Sequence, residues 1–172
     1  MTIDDMDGAS DQFEVLVEIN MDIGAFAADW AYCDRLSSYV AKMVSHNRTD
    51  SLLYSNLLSS ALNELLETAH RTHGPSGKFG CAVLRRGGKD RIQLTIPSQA
   101  EGADFYGQAV NHLSKGDLAE HYRKLLFRDG PIDPTIGLLE LAVDYNAVLS
   151  VEPVGDDAIR LTAELTLEEQ VQ

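Results

Sequence analysis

Glu64 and Thr68 are the pair of residues in this chain whose types and spacing best suit chemistry. They lie four positions apart in a segment that predicts a helix, so their side chains rise one above the other on the same flank. A carboxylate at the edge of a cleft, with a polar side chain one helical turn later, can present an acid and a metal ligand to a bound molecule. The alternative is a solvated helix face that carries helix-favouring Glu residues.

The helix that positions this pair has one wide apolar face. Asp50 or Ser51 can cap its start, and it runs to about His73, where the run Gly74-Pro75-Ser76-Gly77 ends it. Its apolar residues recur at helical spacing: Leu57, Leu58, Ala61, Leu62, Leu65, Leu66, Ala69.

The other segments predict an alternation of strands and helices. In order they are a strand over 13–19, a helix over about 24–45, strands over 79–84 and 91–96, short helices over 104–113 and 118–127, a helix over 136–145, and strands over 147–151 and 158–165. Glycines between the paired strands predict antiparallel hairpins. This order predicts a two-layer α/β (α+β) sandwich, with a mixed, mostly antiparallel sheet covered on one face by helices.

The domain organisation follows from length and local composition. Residues 1–11 are acidic and predict a flexible N-terminus, and residues 12–172 predict a single domain. The segment 97–135 is longer than most connections, so we expect it to form a lid or a partner-binding loop.

Charge and composition exclude several classes of partner. The net charge of −13 repels nucleic-acid phosphates and anionic lipid, so we exclude both as partners. Cys33 and Cys81 lie far apart, and we expect reduced thiols. The acidic N-terminus does not resemble a secretory signal, and no apolar stretch approaches membrane-spanning length, so we expect a cytoplasmic protein.

Two further clusters have a functional and a structural interpretation. His70 and His73 with Cys81 could bind zinc, although histidines at a helix end are also favoured by the helix dipole. The one basic cluster of the chain could contact phosphate or a partner protein, or could be a solvated helix face. Its members are Lys115, His121, Arg123, Lys124 and Arg128.

Two segments resemble the GHKL superfamily, the histidine-kinase-like ATPases with the Bergerat fold, and most of all its anti-sigma-factor serine kinases and related bacterial partner-switching regulators. The run Asn63–Ala69 looks like the N box, Glu-x-x-x-Asn on the long helix. The run Ile136–Ala142 looks like the glycine-bearing start of the helix after the ATP lid. The order of elements agrees with that family over roughly residues 13–168.

The resemblance implies an ATP and Mg²⁺ site. Glu64 stands at the position of the general base, which polarises a water or a target hydroxyl. Thr68 stands where the family has the Asn that holds Mg²⁺, and a Thr hydroxyl has less reach. Gly137 would face the phosphates at a helix N-terminus. The nucleotide-binding positions that the resemblance implies are Asn63, Glu67, Thr68, Ser98, Gly137, Leu138 and Leu139.

The sequence differs from the family's pattern in the segment that would bind adenine. The family expects Asp-x-Gly after the second hairpin strand, whereas this chain has Ile96-Pro97-Ser98-Gln99-Ala100-Glu101-Gly102. The segment before Ile136 also lacks the Gly-rich run of the lid, with Asp129-Gly130-Pro131 the nearest match. A purine site without its buried acceptor loses a specific hydrogen bond.

These observations leave three hypotheses open. The first is a bacterial regulator of the anti-sigma-factor kinase type, which binds a protein such as a sigma factor or an antagonist and has a degenerate nucleotide site. The second is an active ATP- and Mg²⁺-dependent serine kinase that phosphorylates an antagonist, with Glu64 as the base. The third is an unrelated two-layer domain. The resemblance also implies a homodimer, for which Phe26 and Trp30 offer apolar surface.

Overall fold

The computed structural model describes residues 12–24, 31–46, 48, 50–72, 77–97, 100–113 and 116–166. Their elements follow the predicted order. They are β1 (Glu14–Asp22), α1 (Ala31–Ser45), α2 (Ser51–Thr72), β2 (Lys78–Arg86), β3 (Lys89–Pro97), α3 (Ala100–Leu113), α4 (Leu118–Leu126), α5 (Ile136–Asp144), β4 (Val148–Val154) and β5 (Ala158–Leu165). Residues 1–11, Phe26, Trp30, His73, Ser98 and Lys115 lie outside the described residues, so the predictions for them stay predictions.

The strands form one sheet with the order β1-β2-β3-β5-β4. All four pairings among the described strands are antiparallel. The two hairpins turn at glycines with positive φ, Gly87 at 59° and Gly155 at 63°, a conformation that suits glycine. The predicted α+β class is confirmed, and the sheet is antiparallel throughout these strands.

The core lies between the helices and one face of the sheet. Leu58, Leu62 and Leu65 of α2 are fully buried, as the apolar spacing of that helix predicts. Alternate side chains of the three central strands share this core because successive side chains of a strand point to opposite faces. These are Phe79, Cys81, Val83, Ile92, Leu94, Ile96, Ile159, Leu161, Ala163 and Leu165.

The opposite face of the sheet carries no described helix. A shallow depression of about 610 Å³ runs across it, and it is lined by strand residues and by Asp157 of the last turn. Its side chains include Glu18, Gln93, Thr95 and Arg160. The two layers are therefore one helical layer and one sheet, as the sequence predicts.

A buried ion-pair cluster ties the β2–β3 hairpin to the two long helices. Asp90, only 1% exposed, accepts hydrogen bonds from Arg85 Nε at 2.8 Å and Nη2 at 3.1 Å. Arg85 also donates to the Val44 carbonyl at the end of α1 and to the Tyr54 hydroxyl of α2. The Arg48 guanidinium lies 4.0 Å from the centre of the Tyr54 ring and 3.7 Å from Asp90 Oδ1.

The insert between β3 and α5 contains the two helices that the sequence predicts. The first, α3, begins at Ala100, a turn before the predicted start. The second, α4, begins after Asp117, whose carboxylate accepts a hydrogen bond from the Glu120 N–H at 3.1 Å. None of the described helices combines the length and the apolar character that crossing a bilayer requires.

Asp90→Asn should lower the free energy of unfolding by about 3 kcal/mol, because it removes the buried charge on which Arg48 and Arg85 converge. Urea unfolding measures the change. Glu152→Gln is the control, since it removes the carboxylate of an exposed ion pair with Arg160 and should cost less than about 1 kcal/mol. Equal costs for the two substitutions would show that the cluster does not hold the hairpin.

Candidate functional site

The structure brings Glu64, Thr68 and Gly137 together where α5 begins on the side of α2. Thr68 is fully buried, and its hydroxyl donates a hydrogen bond to the Glu64 carbonyl oxygen at 2.8 Å. Glu64 itself is half-buried. The sequence separation between Thr68 and Gly137 is large, so their contact joins the two segments that carry the family resemblance.

Gly137 lies against α2 with no room for a side chain. A Cβ built on Gly137 would stand 2.7 Å from Thr68 Oγ1 and 3.0 Å from Glu64 Oε2. Real Cβ atoms essentially never approach another atom to 2.7 Å, so a side chain at residue 137 would force the buried Thr68 side chain or one of the two helices to shift. The close approach of α5 to α2 is what this glycine permits.

The start of α5 is held by its own hydrogen bonds. The Asp133 carboxylate accepts from the Thr135 N–H at 2.8 Å and from the Thr135 hydroxyl at 2.6 Å. The Leu139 N–H donates to the Thr135 carbonyl at 3.1 Å. The side chains of Leu138 and Leu139 are buried in the interior. These two leucines therefore support packing, and their predicted role toward phosphates stays a prediction.

Asn63 and Glu67 form a second polar pair one residue before the first. Asn63 Nδ2 donates to Glu67 Oε1 at 2.8 Å, across one helical turn. Asn63 Oδ1 is buried and has no hydrogen-bond partner among the described residues. Both side chains are half-buried. Their predicted contact with nucleotide stays a prediction.

Acidic groups from α2 and α5 face each other beside this corner. Burial raises the pKa of Glu140, and the nearby charges of Asp144 and Glu67 raise it further. Burial also raises the pKa of Tyr122 in α4 and of Tyr145, and the charges of Glu140, Asp144 and Glu64 add to both effects. We call Glu64, Glu67, Glu140 and Asp144 the carboxylate wall. Glu64 and Glu67 are site residues that the sequence predicts, whereas no sequence motif singles out Glu140, Asp144 or the two tyrosines for this site.

The geometry of this corner does not suit Mg²⁺ or a polyphosphate. A hydrated Mg²⁺ needs oxygen ligands that it can reach, whereas the Thr68 hydroxyl is fully buried, donates to a carbonyl and is covered by Gly137. The carboxylate wall repels the negative charge of a triphosphate. Among the described residues no group of three His, Cys, Asp or Glu side chains could hold a metal ion.

A small cavity lies between α1, α2 and the sheet. Leu66, Ala69 and His70 of α2 and strand side chains enclose a cavity of only about 20 Å³, which has room for about one water.

Cys81 lies in the sheet, and burial raises the pKa of its thiol to about 12, so the thiol stays protonated at neutral pH. Cys33 and Cys81 are both free, as predicted.

A separate cavity of about 290 Å³ opens on the insert side of α5. The exposed side chains of His112 and His121 line it together with Asp133 and Thr135. Burial raises the pKa of Asp133, but the two hydrogen bonds from Thr135 and the charges of Arg128 and His121 together hold the pKa below its usual range. The sequence did not predict that these two histidines meet, because they lie on different helices of the insert.

Gly137→Ala should destabilise the chain by about 1–3 kcal/mol, because the new methyl group would overlap Thr68 Oγ1 and force α5 away from α2. Thr68→Ala removes the overlapped oxygen, so Gly137→Ala should cost less in the Thr68→Ala background. Urea unfolding of the four proteins gives the coupling energy. Additive effects of the two substitutions would contradict the described contact.

Glu140→Gln should raise the free energy of unfolding at pH 7, because it removes the repulsion between Glu140 and Asp144. This repulsion alone accounts for about 0.2–0.5 kcal/mol. The raised pKa of Glu140 means that the folded chain binds more protons than the unfolded chain above the usual Glu value, so stability falls as the pH rises through that window. The gain should shrink as the pH falls through this window towards the usual Glu pKa of about 4.3.

Urea unfolding between pH 4 and pH 7 checks this dependence. Glu18→Gln is the matched control, since it removes an exposed carboxylate on the open face of the sheet, away from α5. A Glu140→Gln protein that is less stable than the parent at pH 7 would show that Glu140 makes a favourable contact instead.

Comparison with known proteins identifies a shared fold. No family model and no curated protein sequence matches the chain. A chain of the crystal structure of the SiaB-SiaC complex from Pseudomonas aeruginosa is similar, with a TM-score of 0.60 and 12% sequence identity. The match covers 88% of this chain and 89% of that chain. At this identity the likeness shows the fold alone, and it extends over almost the whole of both chains.

Proposed function

We propose that this chain is a bacterial regulatory protein of the anti-sigma-factor kinase type, which acts by binding a partner protein and has a degenerate nucleotide site. The observation that carries the proposal is the position of Thr68, because its hydroxyl is buried under Gly137 and donates to the Glu64 carbonyl. The residue at the Mg²⁺ position thus serves the packing of two helices.

The carboxylate wall supports the same proposal. A kinase that transfers a phosphoryl group places cations or N–H donors around the polyphosphate. Here Glu64 and Glu67 of α2 face Glu140 and Asp144 of α5 closely enough to raise the pKa of Glu140, Tyr122 or Tyr145. No Lys or Arg is among the groups that shift these pKa values, and the exposed cations Arg123 and Lys124 belong to α4 in the insert.

The fold supports a role in protein binding. The similar chain comes from a complex of two proteins, SiaB and SiaC. The order of elements is also the order expected from the resemblance to partner-switching regulators. The proposal includes three further properties of this chain: it is related to the GHKL superfamily, it binds a protein partner, and it forms a homodimer.

The alternative is an active serine kinase of the same fold, with Glu64 as the base. Glu64 is half-buried, and its Oε2 atom lies close to Gly137, 3.0 Å from where a Cβ of residue 137 would stand. The two functions differ in one measurable property, since the kinase must bind ATP with Mg²⁺ and the regulator proposed here does not.

Addition of 5 mM ATP and Mg²⁺, concentrations set by the experiment, should leave the melting temperature unchanged. A ligand at a hundred times its Kd stabilises a protein by about 2.7 kcal/mol, which is about 5–10 °C for a domain of this size. Differential scanning fluorimetry checks the prediction. Mg²⁺ with inorganic triphosphate, and Mg²⁺ alone at matched ionic strength, are the controls.

A saturable rise in melting temperature with ATP that triphosphate does not reproduce would overturn the degenerate site. In that case Glu64→Gln separates the roles, because a base is required for phosphoryl transfer and not for binding. Retained ATP binding with loss of transfer in Glu64→Gln would establish the kinase.

A further inference from the structure

The strand order leaves β1 and β4 at the two edges of the sheet, each with one side unpaired among the described strands. The β2–β3 hairpin has a two-residue loop, so its closing pair, Arg86 with Lys89, is hydrogen-bonded. Hydrogen-bonded pairs alternate along each ladder, so the registers from β3 to β5 and from β5 to β4 fix which residues of β4 bond to β5. Leu149, Val151 and Pro153 are left to face away from β5.

The outer side of β4 offers backbone groups for another strand. The N–H groups of Leu149 and Val151 have no hydrogen-bond partner among the described residues. Pro153 has no N–H, and a proline in a sheet belongs on the unpaired side of an edge strand, which agrees with this assignment. The N–H of Ala147, just before the strand, is already bonded to the Leu141 carbonyl at 3.0 Å. The edge therefore offers two donors, with the carbonyl groups of the same two residues as acceptors.

An uncharged groove of about 580 Å³ lies beside this edge. Its walls come from α3, α4, α5 and the start of β4, and they include Val110, Leu113 and Leu149. Val148 also lines the groove and is 69% exposed. None of the described residues that line it is charged, although 24% of the chain is Asp, Glu, Lys or Arg. Two copies of a chain with a net charge of −13 can therefore meet here with little local repulsion.

The other edge of the sheet is less suited to pairing. β1 carries Glu14, Glu18 and Asp22, and its pairing with β2 contains a register shift. Charged side chains and irregular register are features by which edge strands avoid pairing with other chains. β4 has a regular register and one acid, Glu152, whose charge is paired with Arg160 at 3.3 Å. Charge and regularity thus favour β4 as the edge that meets a second copy.

We propose that β4 pairs with β4 of a second copy of this chain, antiparallel and about a two-fold axis at Ser150, so that the two sheets become one. Each free N–H then lies opposite a free carbonyl, because Leu149 exchanges two hydrogen bonds with Val151 of the partner subunit and Val151 does so with the partner's Leu149. Pro153 lies beyond these bonds, so its missing N–H removes none of them. This inference rests on the proposed function, because it gives the proposed homodimer its interface.

This register also places compatible side chains opposite each other. On the groove side, Leu149 lies beside Val151 of the partner subunit. On the open side, Ser150 faces its own copy and Val148 faces the partner's Glu152, so no acid lies opposite an acid. The axis is perpendicular to the sheet, which puts both helical layers on the same side and brings the two uncharged grooves next to each other. A two-fold interface uses the same patch of both copies, and this patch is self-complementary.

A disulfide across the proposed axis tests the register. Ser150→Cys places two exposed cysteines opposite each other in a non-hydrogen-bonded pair, with Cα atoms about 4.5 Å apart, a distance that a disulfide spans. Mild oxidation should convert most of this variant to a covalent dimer, measured by non-reducing electrophoresis. Cys33 and Cys81 are buried and are present in every variant.

Val148→Cys is the matched control. Val148 is exposed on the same face of β4, so random collisions would cross-link a cysteine there as readily as at residue 150. In the proposed pairing, however, the two copies of residue 148 are about 14 Å apart, which is too far for a disulfide. We expect roughly tenfold less covalent dimer from Val148→Cys than from Ser150→Cys.

Sedimentation velocity measures the association without a cross-link. The parent chain should form a dimer at micromolar concentration, and Val151→Pro should be a monomer because it removes one of the two free N–H donors of each copy. The substitution keeps the hydrogen bonds to β5, since the N–H of residue 151 faces away from that strand. Asn20→Pro, at an outward-facing position of β1, is the matched control and should leave the dimer intact. Circular dichroism confirms that both variants fold, and the cysteine variants test the interface independently of them.

Three results would overturn this interface. They are a parent chain that sediments as a monomer, a dimer that persists in folded Val151→Pro, and cross-linking of Val148→Cys that equals that of Ser150→Cys. The second and third results leave a homodimer whose contact lies elsewhere. Failure of the degenerate nucleotide site is separate, since it shows as stabilisation by ATP with Mg²⁺ and does not change the state of the β4 edge.

Discussion

The approach of Gly137 to Glu64 and Thr68 is the constraint on which the rest of the site depends. Because this residue has no side chain, the start of α5 lies directly on α2, and the Thr68 hydroxyl is sealed between them. The contact fixes the position of Glu140 and Asp144 opposite the acidic residues of α2. It also fixes the position of α5, the helix on which α4 packs. A packing requirement between two helices thus shapes the electrostatics of the whole corner.

The fold and the surface charges divide the chain into two regions with different chemistry. The corner between α2 and α5 concentrates carboxylates beside the buried Thr68 hydroxyl. The insert carries the exposed cations and apolar side chains, of which Phe127 is the most open.

The sequence predicts the elements well because local periodicity determines them. The apolar spacing of α2 and the alternation in β2, β3 and β5 predict the buried residues, and the glycine turns predict the hairpins. The ion pairs of Asp90, the meeting of His112 with His121 and the facing of Tyr122 and Tyr145 toward Glu64 could not be predicted. They depend on how distant elements pack, and no local pattern encodes that. Only the family resemblance assigned Thr68 and Gly137 to the same site. It gave their order along the chain and did not predict that the two residues are in contact.

The most direct test of the central claim is site-resolved, by ¹⁵N–¹H NMR of the full chain with ATP and Mg²⁺ at millimolar concentration. The account predicts that the amide signals of Glu64, Thr68, Gly137 and Leu138 keep their positions throughout the titration. Saturable shifts of these signals, with a common dissociation constant, would show that nucleotide enters between α2 and α5 and would contradict it.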